Sequence, residues 1–140
     1  MPLSASALRA AFRRSGAGGS RAGEIESAPQ EIAVAIRSAL GAVRDADRPV
    51  LACWSGADDW VAVAPTEIYV RRSGRLARLS VSDIVEVAPA SERRPKTDST
   101  ELDVRFATGE LVRISADAGP AFVGMWNALL ALMRSTKRHP

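Results

Sequence analysis

The chain has almost none of the residues that metal and thiol chemistry need. Its 140 residues include one cysteine, Cys53, and one histidine, His139. A lone cysteine excludes an internal disulfide framework, and a single imidazole excludes a His- or Cys-rich metal site. His139 is the penultimate residue, where chains fray, so a Ser-His-Asp or Cys-His arrangement is not expected. No run reaches the roughly 18 to 20 continuous apolar residues of a membrane-spanning helix. The first residues have no apolar stretch of about 7 to 15 residues, so a secretory signal peptide is not expected. Acid is also missing at the start: residues 1–23 hold Arg9, Arg13, Arg14 and Arg21 but no Asp or Glu.

That local excess accounts for the formal net charge of +3. The remaining 117 residues hold 15 basic and 16 acidic side chains and are nearly neutral, so a nucleic-acid partner is not expected for the folded part. The Arg-, Ser- and Ala-rich start has the composition of a mitochondrial transit peptide, and equally that of a flexible tail running into Ser15-Gly16-Ala17-Gly18-Gly19-Ser20. The expectation is a disordered basic arm and linker over 1–26. The bias of 17 Arg to 2 Lys suits a GC-rich bacterial genome. A single unpaired cysteine suits a reducing cytoplasm.

The expected elements follow from periodicity. Ser27-Ala28-Pro29-Gln30 carries start signals for a helix: a capping serine, a proline in the first turn and a capping-box glutamine. Ile32, Ile36, Leu40 and Val43 then share one face, and Pro49 limits the helix to about 27–48. Its narrow apolar stripe should dock on other elements. From Val50 the period becomes two. Short strands are expected at Val50–Trp54, Trp60–Ala64, Glu67–Arg72, Leu76–Ser80, Asp83–Val87, Glu101–Ala107 and Glu110–Ser115. Between them lie the turns Ser55–Asp58, Ser73-Gly74 and Thr108-Gly109, and a long polar loop at Ala88–Thr100. The last element is a helix from Pro120 to about Thr136, with Phe122, Met125, Trp126, Leu129, Leu132 and Met133 on one broad face. Trp126 lies in the middle of that face and is expected to plug a small barrel.

The fold class is therefore α+β and mainly β. Seven short antiparallel strands closed by one amphipathic helix resemble the pleckstrin-homology-like superfold, most closely its small bacterial members. The resemblance is carried by Trp60-Val-Ala-Val-Ala-Pro-Thr66-Glu-Ile-Tyr-Val70-Arg-Arg-Ser-Gly74-Arg-Leu-Ala-Arg-Leu79-Ser-Val-Ser-Asp83-Ile84, by the Phe106–Gly109 hairpin and by the helix holding Trp126. It covers Val50 to about Thr136; the helix at 27–48 is an addition to the family's pattern. It implies a seven-stranded barrel spanning 49–140 that binds lipid head groups, peptides or protein surfaces without catalysis and without a cofactor.

Arg71, Arg72, Arg75 and Arg78 gather around one hairpin and are the candidate anion- or partner-binding residues; the same four can also be read as a solvated hairpin. In eukaryotic relatives of the family, phosphate is gripped mainly by the first hairpin. Here that hairpin carries Asp58 and Asp59, which repel phosphate. The two aspartates alone read as a solvated turn, without a metal. Cys53 lies in an apolar run and reads as a buried, inert thiol. Trp54, Trp60 and Trp126 read as core. The Gly16–Gly19 run lacks both a preceding strand and a Lys-Ser/Thr ending, so it is not a phosphate loop. The expected function is a non-enzymatic protein-binding or adaptor module. The alternative is peripheral attachment to an anionic membrane through the Arg-rich arm and hairpin.

Overall fold

The computed structural model describes residues 3–14, 18–90 and 100–137. Helix α1 (Ala5–Arg13) and strand β1 (Ala22–Glu24) lead through a 3₁₀ turn (Ile25–Ser27) into α2 (Gln30–Gly41). Four strands follow: β2 (Leu51–Gly56), β3 (Asp59–Val63), β4 (Glu67–Arg72) and β5 (Arg75–Ser80). A second 3₁₀ turn (Val81–Asp83) enters β6 (Ile84–Pro89), β7 (Glu101–Phe106) and β8 (Leu111–Ser115), and α3 (Pro120–Lys137) closes the chain. All pairings are antiparallel: β1 to β5 form one sheet in sequence order, and β6 to β8 form a second.

The seven expected strands are present, but a closed barrel is not. Among the described residues no strand pair joins the two sheets. At one seam the chain leaves β5 through the 3₁₀ turn. There the Val81 N–H donates to the Thr66 carbonyl and the Ala107 N–H to that of Asp83, so backbone groups are satisfied without β5 pairing to β6. At the other seam the Arg72 guanidinium reaches from β4 to the Arg113 carbonyl of β8, at 2.7 Å. β4 is itself paired on both sides, to β3 and β5, so this link between the sheets is a side chain and not a strand ladder.

The five-stranded sheet is covered on both faces. Toward the second sheet and α3, Val61, Val63, Ile68 and Val70 meet Val104, Ile114, Phe122 and Leu129 in the main core. On the other face α2 lays Ile32, Ile36 and Leu40 over Trp54, Trp60 and Tyr69. Burial on both faces explains why β2 and β3 read as continuous apolar runs without polar alternation. Trp60 is fully buried, and its indole N–H donates to the Ala57 carbonyl at 3.0 Å.

Four expectations are corrected. The arm is folded wherever it is described; residues 1, 2 and 15–17 lie outside the described residues. Ser4 caps α1 by accepting from the Ala7 N–H at 3.1 Å, and α1 buries Leu8, Ala11 and Phe12. Phe12 packs on Gly124 of α3 so closely that a Cβ there would lie 2.8 Å from its ring. Gly18–Ser20 is no loose linker either: the Gly19 N–H donates to the Ala22 carbonyl at 2.8 Å, and the Ser20 hydroxyl donates to Asp117 at 2.6 Å. Second, β1 adds an eighth strand, pairing Ala22 with Cys53 and Glu24 with Leu51.

Third, α2 is shorter than 27–48. Pro29, in extended geometry, occupies its N-cap, while the Ser27 hydroxyl donates to the Glu24 carbonyl at 2.8 Å instead of capping. The helix stops at Gly41 because the following segment is tied to the sheet. Arg78 donates to the carbonyls of Arg44 and Asp45, and Asp47 accepts from the Thr66 N–H and hydroxyl. Fourth, Trp126 is only partly buried; it sits at the rim, edge-on to Phe122 with centroids 5.9 Å apart. Phe122, Met125, Ala128, Leu129 and Leu132 form the buried plug. Of the expected long loop, residues 91–99 lie outside the described residues.

Candidate binding surfaces

The four hairpin arginines do not converge. Cross-strand partners share a face. Arg78 opposes Tyr69 and Arg71 opposes Leu76, so both lie on the α2 side of the sheet. Arg72 and Arg75 oppose each other on the side of Val70. Three of the four are occupied. Arg78 pairs with Glu67 and also caps the segment after α2. Arg72 pairs with Asp59 and bridges to β8. Arg71 lies 3.6 Å from Asp58, a looser contact with a well-exposed carboxylate. Arg75 alone has no ion-pair partner among the described residues, and it stands at the exposed start of β5. The acids in the Asp58-Asp59 turn thus serve as counter-ions to the hairpin.

Arg78 belongs to a polar network that pattern reading missed. The Tyr69 hydroxyl donates to Glu67 at 2.6 Å and accepts from the Asp47 N–H at 2.7 Å. Burial, reinforced by Glu67, pushes the Tyr69 phenol up to about 12. The hydrogen bond from Arg78, with that from Tyr69, outweighs partial burial and holds the Glu67 carboxyl below its ordinary range. The network pins the segment after α2 onto the ends of β4 and β5. Asp47 lies far in sequence from Glu67 and Tyr69, and no local pattern joins them.

Between the sheets lies a cavity of about 210 Å³ lined by Cys53, Ser55, Asp59, Arg72, Glu101 and Arg113, among others. Its cations are committed: Arg113 forks onto Asp103 at 2.8 and 3.2 Å, and Arg72 onto Asp59 and the β8 carbonyl. Among the described residues Asp103 is the one buried charged side chain, and Arg113 supplies its compensation. Burial pushes the Cys53 thiol up to about 12, which leaves it protonated and unreactive at neutral pH. The cavity reads as a satisfied inter-sheet seam.

Two of the arm's four cations are also tied, while Arg14 and Arg21 are in no ion pair among the described residues. Arg9 reaches Glu26 at 2.6 Å, and Arg13 donates to both Glu24 oxygens at 2.6 and 2.9 Å. Among the described residues no group of three or more His, Cys, Asp or Glu side chains could hold a metal ion, and no helix is long and apolar enough to cross a membrane. Comparison with protein-family models, with curated proteins and with solved structures finds no match to this chain.

Proposed function

We propose that the chain is a non-enzymatic adaptor module of pleckstrin-homology-like fold that binds another protein. The order of elements supports the fold reading: a four-stranded meander (β2 to β5), a three-stranded meander (β6 to β8), then α3 across the core. On this reading α1, β1 and α2 are additions to the frame.

The observation that carries the functional reading is the outer edge of β5. Among the described residues this six-residue strand is paired on one side only, to β4, and it exposes Arg75 and Ala77. An edge of this length offers unpaired backbone donors and acceptors to an extended segment of a partner. The unpaired Arg75 favours an acidic segment, and it discourages pairing with a second β5. The alternative of lipid attachment would draw on the arm and hairpin arginines as one surface. Of the arm, Arg9 and Arg13 are bound to Glu24 and Glu26, which leaves Arg14 and Arg21 for such a surface among the described residues, and the hairpin cations face two ways.

The test is affinity capture with cross-linking from cells that naturally express the chain, using the wild type and Arg75→Glu, beside sedimentation with anionic vesicles. The expected result is a protein that cross-links within Arg75–Ser80, is retained by the wild type and is lost from Arg75→Glu. Capture indifferent to Arg75→Glu, or no capture together with salt-sensitive vesicle binding, would overturn the reading.

A further inference from the structure

The hydrogen-bond phase of β5 is fixed at both ends. Past its last residue, the Val81 N–H donates to the Thr66 carbonyl at 3.0 Å, one step beyond the Glu67–Ser80 pair. At its start, Ser73 and Gly74 form a two-residue turn with φ of 51° and 77°, in which the flanking Arg72 and Arg75 exchange bonds. Bonded and unbonded pairs alternate along an antiparallel ladder, and both ends give the same phase. Arg75, Ala77 and Leu79 therefore turn their backbone groups to β4. Leu76, Arg78 and Ser80 turn theirs to the open edge, where no backbone partner stands among the described residues.

The side chains alternate with the same period. Arg75, Ala77 and Leu79 lie on the side of Val70, with Leu79 buried in the main core and Ala77 exposed. Leu76, Arg78 and Ser80 lie on the side of Tyr69. The cationic excess belongs to the first of these faces. Arg75 stands directly across from Arg72, and among the described residues Asp59 is the one acid paired with either. On the second face Arg78 is already matched by Glu67.

We propose that β5 docks an extended segment of another protein in which an acidic residue is preceded, two positions earlier, by a large apolar one. This rests on the reading of β5 as the docking strand and adds what that strand selects. Running antiparallel, the segment exchanges backbone bonds with Leu76 and Arg78. Its acid then stands beside Arg75 and its apolar residue beside Ala77. Both are unbonded positions of the new ladder, where side chains approach most closely. The acid meets the surplus cation. The apolar residue fills the room that Ala77 leaves, within diagonal reach of Leu79. An acid moved by one position would face Arg78, whose charge Glu67 already answers.

The experiment is a nuclear magnetic resonance titration of the full chain with the end-capped peptide Gly-Ser-Thr-Val-Thr-Val-Thr-Glu-Gly-Ser. In the free chain, amide exchange should be fast at Leu76, Arg78 and Ser80 and slow at Ala77 and Leu79. The peptide should protect the first three saturably. Exchanging its glutamate with the threonine before it should weaken binding up to about fivefold, and lysine in place of the glutamate should weaken it further. Arg75→Glu, at an exposed position, should reverse the order and favour the lysine peptide. N-methylation removes a backbone donor. It should abolish binding at the threonines beside Leu76 and Arg78 and be tolerated at the valine beside Ala77. The proposal is overturned if no peptide protects these amides, if the glutamate and lysine peptides bind alike, or if Arg75→Glu leaves their order unchanged. Methylation acting with the opposite alternation overturns it too. A natural partner captured on β5 without this spacing overturns it and leaves the adaptor reading in place. Peptide binding in the expected order, with no partner captured from cells, supports the spacing and removes the adaptor reading.

Discussion

Two helix glycines should respond to alanine with opposite signs. In an unconstrained helix, Gly→Ala gains about 1 kcal/mol because alanine loses less backbone entropy and leaves less backbone exposed. At Gly41 nothing stands within 4 Å of the new Cβ, so that gain should appear, reduced where the helix frays at its last residue. At Gly124 the same Cβ would lie 2.8 Å from two ring carbons of Phe12 and 2.9 Å from its carbonyl oxygen. The ring can tilt, but the carbonyl belongs to α1 and moves only with the helix. Overpacking of this kind costs about 1 to 3 kcal/mol, which offsets the propensity gain and leaves a net loss of up to about 2 kcal/mol. For a domain of this size that corresponds to several degrees of melting temperature. Urea and thermal melts of Gly41→Ala and Gly124→Ala measure the difference directly. Phe12→Leu should recover part of the Gly124→Ala loss by removing the ring, a coupling visible in the double-mutant cycle. If Gly124→Ala stabilises as much as Gly41→Ala, α1 does not lie on α3 and the packing described for the N-terminal segment is wrong.

Three further outcomes are expected. Tyr69 is the one tyrosine of the chain, so its ionisation can be followed alone by ultraviolet absorbance. Because its folded value is raised to about 12, it contributes stability that is complete below the unfolded value near 10 and is lost as pH rises toward 12; a midpoint near 10 in the folded protein would refute the network. At Asp117 burial opposes the charge, but hydrogen bonds from the Ser20 hydroxyl and the Arg21 N–H outweigh it and lower the carboxyl's value. Its contribution is therefore present above the ordinary carboxyl range near 4 and lost as pH falls through the folded value, and Asp117→Asn should flatten the acid limb and speed amide exchange at Arg21. Phe122 is fully buried and Trp126 is not, so Phe122→Ala should cost about 3 to 5 kcal/mol in a urea melt and Trp126→Ala clearly less; equal losses would put both rings in the plug.

Local periodicity determined much of the fold without help. Short apolar runs at β2 and β3 and alternation along the later strands marked seven strands, because a half-buried pleat repeats every two residues, and the spacing of Phe122, Met125, Leu129 and Leu132 marked α3. The stripe of Ile32, Ile36 and Leu40 marked a docking helix and its buried face. The failures have a common cause. Ala22–Glu24 is too short to show a period and becomes a strand only because β2 offers an edge. Leu8 and Phe12 are too few to order a free segment against its entropy. They suffice once Gly124 lets α1 settle on a helix more than a hundred residues away in the chain.

The candidate site divides in the same way. The arginine positions are legible in the sequence, and so is their grouping on one hairpin. Which of them are free is a tertiary property. It depends on Glu67 lying diagonally from Arg78 on the neighbouring strand, on Asp59 reaching Arg72, and on β8 presenting a carbonyl to Arg72. Periodicity belongs to the chain, because each element answers to its own repeat. Charge balance and open space belong to the packed molecule, because each needs two segments that the sequence leaves far apart.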